Sequence, residues 1–146
     1  MSTFTRLVSV CVLLGVAFFT TGCQTTQAEN STGYGKQKVV YHINYDDPKK
    51  QTGALRNIQN HINAVGAENL DIKVVMHGNG LAMVLEPDAL TRVPKFKNAN
   101  ANDAQQATIA NLKGQGIAFE VCANTLKGRK VNVNDDLYDV DQADIV

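Results

Sequence analysis

From residue 38 onward, apolar positions recur with two alternating periods. Residues 38–45, KVVYHINY, are rich in β-branched and aromatic side chains, with Val39, Tyr41, Ile43 and Tyr45 on one face. That period of two predicts a strand. The cluster DDPKK ends it as a turn. Thr52 is placed to cap the next segment, where Leu55, Ile58, Ile62 and Val65 form one stripe at helical spacing. Gly66 suits the C-terminal end of that helix. Residues 70–77, LDIKVVMH, predict a second strand. Val74, Val75 and Met76 are apolar on both of its faces, as in a strand covered on two sides.

The pattern then loosens. GNGLAMVLEPDAL predicts a short helix around residues 81–85, broken by Pro87, and TRVPKFKNANAN predicts a loop. A connection this long is usually a lid, a partner-binding loop or the edge of a site. Asn102 or Asp103 starts a helix with Ala104, Ala107, Thr108, Ile109 and Leu112 in its stripe, ended by Gly114 and Gly116. IAFEVC is the third strand. Residues 123–127 make one helical turn closed by Gly128, KVNVN (130–134) a fourth strand, and residues 137–146 the opening of another helix.

Strands alternating with helices predict an α/β fold. The expected form is three-layer α/β/α, with a mostly parallel sheet of four or five strands, right-handed crossovers and helices on both faces. Sites in such sheets form beyond the carboxyl ends of the strands. Chemistry is therefore sought at residues 44–48, 77–80 and 122–124.

At 146 residues, 44% hydrophobic and 19% charged, the chain is long enough for one globular domain. Its start changes the picture. Arg6 is the sole charge before Cys23, and the run from residue 7 to 19 is apolar apart from Ser9 and Gly15. Such a run is short for a bilayer span and fits a signal-peptide core. TTGC, with Gly22 directly before Cys23, resembles a bacterial lipoprotein cleavage box, with Thr20 where Leu is usual. The expectation is a signal peptide over residues 1–22, a lipid on Cys23 and a polar tether over 23–36. The domain then spans 37–146. The other reading is a plain secretory signal or a short anchor. Gln24 after the cysteine resembles an outer-membrane address, which implies a periplasmic domain held to that membrane. Residues 1–22 carry Arg6 and no acid, so the chain without them stays near neutral. No basic cluster stands out along the sequence, so no nucleic acid is expected as a partner.

Cysteine usage then narrows the chemistry. Cys11 leaves with the signal and Cys23 is acylated, so Cys122 is left without a disulfide partner. An unpaired thiol in an oxidising compartment is either buried and inert or kept for its reactivity. A thiolate at a helix N-terminus is favoured by free N–H groups and the helix dipole. The competing reading makes Cys122 a small apolar residue closing the sheet.

GIAFEVCANTLKG (116–128), together with VVMHGNGLA (74–82), resembles the DsrE/DsrF-like family of sulfur-relay proteins. There a strand ends in a cysteine that begins a short helix, and the helix ends in a basic residue and glycine; here those are Cys122, Lys127 and Gly128. The resemblance implies a persulfide carried on Cys122, sulfur donor and acceptor proteins as partners, and assembly into homotrimers or hexamers. Relatives usually continue past the position of Val146 with a helix and an edge strand. The sequence is therefore either a fragment or a member lacking that unit.

Around Cys122 the candidate binding residues are His77, Gly78, Asn79, Gly80, Asn124 and Thr125. His77 has two readings. It exchanges protons with Cys122 or contacts an anion, or it is a strand-end histidine bonded to a backbone carbonyl. His42 is expected as a satisfied core or interface residue and His61 as solvated. GNG is too short for a dinucleotide fingerprint. NDDLYDVDQAD (134–144) lacks calcium-loop spacing and is read as a solvated acidic helix start. No metal ligand set and no cofactor are expected. Two function classes remain: a persulfide carrier using one cysteine, or a non-catalytic ligand-binding or oligomeric assembly module of the cell envelope.

Overall fold

A computed structural model describes residues 35–146. The signal peptide, Cys23 and nearly all of the tether lie outside these residues. Three parallel strands, β1 (Gln37–Ile43), β2 (Leu70–Met76) and β3 (Ala118–Val121), form one sheet in the order β1-β2-β3. Helix α1 (Pro48–Val65) links the first two strands. Two 3₁₀ helices, Gly78–Met83 and Pro87–Thr91, and then α2 (Asp103–Gly114) link the second and third. Helix α3 (Ala123–Arg129) follows β3 directly, and a short α4 (Val133–Asp136) follows α3.

The sequence explains the helix ends. Asp47, not Thr52, caps α1: its Oδ1 accepts from the Lys50 amide at 2.8 Å, and Pro48 sits where its missing N–H costs nothing. Thr52 lies inside the helix and donates its hydroxyl back to the Pro48 carbonyl. Gly66, at φ 90°, ends α1 as expected. Asn102 caps α2 by accepting from the Gln105 amide.

The sheet differs from expectation in strand number and in cover. Among the described residues it has three strands rather than four or five. The segment read as a fourth strand becomes a turn and α4, because Asn132 Oδ1 accepts from the Asn134 amide and starts a helix. Residues 137–146 do not open the helix expected there. Gln142–Asp144 is a 3₁₀ turn, and Ile145 makes an isolated parallel bridge to Val121. There the Val146 amide donates to the Val121 carbonyl, and the Val146 carbonyl accepts from the Ala123 amide at 2.8 Å.

Cover follows from strand order. Two right-handed crossovers stepping in one direction put both helices on the same face. Burial agrees. Ile43, Ile72, Val74, Met76, Phe119 and Val121 are buried against Leu55, Ile58 and Ile62 of α1 and Ile109 and Leu112 of α2. On the other face Lys38, Val40 and His42 are exposed, and Val75, Ala118 and Glu120 are half-covered. Val40 is 64% exposed. These residues thus form no three-layer sandwich, and Val75 is not the doubly covered position expected.

The long connection is packed rather than loose. Leu81, Ala82, Met83, Val84 and Leu85 are fully buried, and Ala89, Val93 and Phe96 join the same core. Buried amides tie it to α1. Gln51, with no exposed surface, donates to the Tyr45 and Gly80 carbonyls and accepts from Asn100 at 2.7 Å. Asn100 also donates to the Asp46 carbonyl. Every buried side-chain polar atom among the described residues has a partner, as a stable interior requires.

Candidate functional site

The carboxyl ends of β2 and β3 bring two of the three searched segments together. Met76 pairs with Val121, and the Cys122 amide donates to the Met76 carbonyl, so His77 and Cys122 occupy the next row of the sheet. Strand alternation points both toward the open face. Gly78, at φ 56°, turns the chain away from His77. Its amide donates to Thr125 Oγ1 at 2.9 Å, which joins the turn after β2 to α3.

Cys122 is partly exposed and has no disulfide partner among the described residues. It occupies the N-cap position of α3 in an extended backbone conformation. Partial burial pushes its pKa up as the largest single influence. The Thr125 amide, the Thr125 hydroxyl and the Asn124 amide pull it down, and together they hold it below the ordinary thiol value. The sulfur makes no close capping hydrogen bond, and the Thr125 amide already donates to the Cys122 carbonyl. The amides therefore act on sulfur mainly as nearby dipoles, and the thiolate is favoured modestly.

The other expected site residues divide by position. His77 is exposed; its amide donates to the Ile43 carbonyl at 2.9 Å. Its ring stands 5.8 Å from the ring of His42, centroid to centroid. His42 is exposed on the open face rather than part of the core. His61 is not simply solvated: it is half-buried, with Nδ1 3.0 Å from the Tyr41 hydroxyl. Asn79 reaches the far end of α3, its Oδ1 accepting from Arg129 at 2.6 Å. Gly80 faces inward, and a Cβ there would stand 1.8 Å from the Ile43 carbonyl oxygen. Asn124 and Thr125 line a cleft of about 470 Å³ with Lys95, Gly128 and Arg129.

That cleft holds residues the sequence reading missed. The Arg129 guanidinium lies 4.4 Å over the Phe96 ring and donates to the Lys95 carbonyl. Lys95 Nζ donates in return to the Gly128 carbonyl. No regular spacing links Lys95 to Arg129. Folding alone brings the loop of residues 93–97 against α3.

The acidic stretch 134–144 is also more than a solvated helix start. Asp136 is buried and accepts from Arg92 Nε at 2.7 Å and from the Asn132 amide at 2.8 Å. Among the described residues no group of three His, Cys, Asp or Glu side chains is placed to hold a metal ion. Nor is any of their helices long and apolar enough to cross a membrane.

The solved structures include one similar in fold, a protein of unknown function, MTH1491, from Methanobacterium thermoautotrophicum. It is 24% identical, with a TM-score of 0.55, over 75% of this chain and 80% of that one. None of the curated proteins matches. A profile of the DsrE/DsrF-like family matches residues 38–145, from the first strand to the bridge at Ile145. A domain with its lone thiol at the end of the third parallel strand, matched over that whole span, belongs to the DsrE/DsrF-like family.

Proposed function

We propose that this chain is a sulfur-relay domain in which Cys122 accepts and passes on sulfane sulfur as a persulfide. One observation carries the reading: a lone, partly exposed thiol at the carboxyl end of β3, its pKa held down by the start of α3. The transfer balances without an oxidant. The Cys122 thiolate attacks the outer sulfur of a donor persulfide, the donor S–S bond breaks, and the donor leaves as a thiolate. Cys122 then carries the outer sulfur with its proton, and an acceptor thiolate removes it by the same step in reverse. A second thiol close by would discharge the persulfide as a disulfide, and the described residues contain none. His77, one residue beyond the Met76–Val121 pair, is the group that would exchange the proton. Asn124, exposed two residues after Cys122, offers a polar contact on which a donor or acceptor would rest.

The sequence before the domain supports export. The apolar run of residues 7–19 and the box ending at Cys23 fit a lipid-anchored domain in the periplasm, held to the outer membrane. Such a chain is a carrier between proteins more than an enzyme turning over a small molecule. The alternative, an assembly module without covalent chemistry, draws on the open sheet face around Val40 and His42, which a further copy of the chain would cover.

Mass spectrometry after incubation with a low-molecular-weight persulfide separates the two. The expected result is one added sulfur atom on the peptide holding Cys122. Reductant should remove it, and Cys122→Ser should lack it. An unmodified Cys122 in the native protein would sink the carrier reading and leave the assembly module.

A further inference from the structure

The sequence places three cations within residues 127–130, and the fold brings Lys95 against them. Two segments meet at the cleft beside α3. Residues 89–102 contain no acid and contribute Arg92, Lys95 and Lys97. Residues 121–134 contain no acid and contribute Lys127, Arg129 and Lys130. Arg92 is neutralised by Asp88 and Asp136. Among the described residues the other five cations have no carboxylate within ion-pair distance, whereas Lys73 has one and Lys113 two. In a chain of zero formal net charge, this is a local excess.

The cleft within this patch is preorganised. Stacking on Phe96 and the hydrogen bonds to Asn79 and Lys95 fix the plane of the Arg129 guanidinium. They leave most of its N–H groups unused. Lys95 spends one N–H on the Gly128 carbonyl and keeps the rest. Both cations thus face neutral acceptors only. The uncharged part of the lining, Asn124, Thr125 and Gly128, can hydrogen-bond but adds no acid. A fixed guanidinium fork beside a flexible ammonium is the arrangement that holds a tetrahedral oxyanion.

We infer that the cleft formed by Lys95, Asn124, Thr125, Gly128 and Arg129 binds a dianionic tetrahedral oxyanion group. Its volume of about 470 Å³ is in the range of small-molecule sites. The cleft opens to solvent, which leaves room for the group to stand at the end of a small monoester. The site shares Asn124 and Thr125 with the surroundings of Cys122, but its charge comes from Lys95 and Arg129 and needs no sulfur on the thiol.

The test is titration of the purified protein at low ionic strength, followed by amide NMR shifts at Asn124, Thr125 and Gly128. The probes are glycerol 3-phosphate, inorganic phosphate and inorganic sulfate. Saturable shifts with the ester tighter than the free ions support a monoester site; equal affinities support a free-oxyanion site. Arg129→Gln and, separately, the exposed Lys95→Gln should each weaken binding by about tenfold or more. Lys38→Gln removes the same charge at the opposite end of the sheet and should change nothing. Absence of saturable shifts up to tens of millimolar would overturn the inference, as would equal weakening in all three variants. Sulfur loading of Cys122 is read separately by mass, so either result can fail alone.

Discussion

Gly80 is where a single methyl group should do the most damage. It lies in the 3₁₀ turn after His77, and the turn passes directly over the end of β1. A Cβ at this position would stand 1.8 Å from the Ile43 carbonyl oxygen, 2.4 Å from its carbon and 3.0 Å from the Asn44 nitrogen. All three are backbone atoms, so no side chain can swing aside. Restoring van der Waals contact near 3.4 Å needs a backbone shift on the order of 1.5 Å. That shift pulls on the His77 amide bond to Ile43 and on the Gln51 bond to the Gly80 carbonyl. Overpacking of this kind costs about 1–3 kcal/mol, and each weakened buried hydrogen bond adds about 1 kcal/mol. Gly80→Ala should therefore destabilise the domain by about 3–5 kcal/mol and lower Tm by roughly 10 °C or more. Gly53→Ala is the control, because a Cβ there meets nothing within 4 Å inside α1. It should stabilise by about 0.5–1 kcal/mol through helix propensity. Thermal and urea unfolding of both variants measure this. A Gly80→Ala protein melting within about 2 °C of wild type would refute the close approach and the placement of the turn.

Three further outcomes follow from the site and from the buried ion pair. Alkylation of Cys122 should titrate with an apparent pKa below that of a free thiol, and Thr125→Val should raise it by removing the hydroxyl. Because folding depresses this pKa, the native state binds fewer protons than the unfolded state between the two values. Stability should rise with pH across that window, be fully present above the unfolded pKa and be lost as pH falls through the folded one. A Cys122→Ser protein lacking that slope confirms the assignment, and the same slope in the variant would refute it. Asp136→Asn breaks a carboxylate that is 3% exposed away from Arg92 and should cost about 2–3 kcal/mol, discounted because Arg92 is 43% exposed. An unchanged urea midpoint would show that the pair is idle.

The elements with a clear period were legible. The stripe through Leu55, Ile58 and Ile62 and the alternation in β1 each report one buried face, and a buried face is what periodicity encodes. The caps were half legible. Asn102 and Gly66 stood at the ends of their stripes, but Asp47 was hidden by the turn cluster it also belongs to, and Thr52 looked equally fit. Residues 78–101 were not legible as packed structure, because a 3₁₀ turn has too few residues to show a stripe and is held by distant partners such as Gln51 and Asn100. Val131 and Val133 alternate like a strand, yet pairing depends on a neighbour that local sequence does not name. At the site, the lone thiol could be found by counting cysteines. The cleft could not, since Lys95 and Arg129 meet only in three dimensions.

The carbonyl of Val146 holds the amide of Ala123, the residue directly after the thiol. The cysteine end of the third strand is thus moored by residues 145–146. Deleting residues 145 and 146 would slacken the peptide group beside the sulfur without touching the sulfur itself. Thiol reactivity measured on that variant would then report a loosened mooring as well as the thiol.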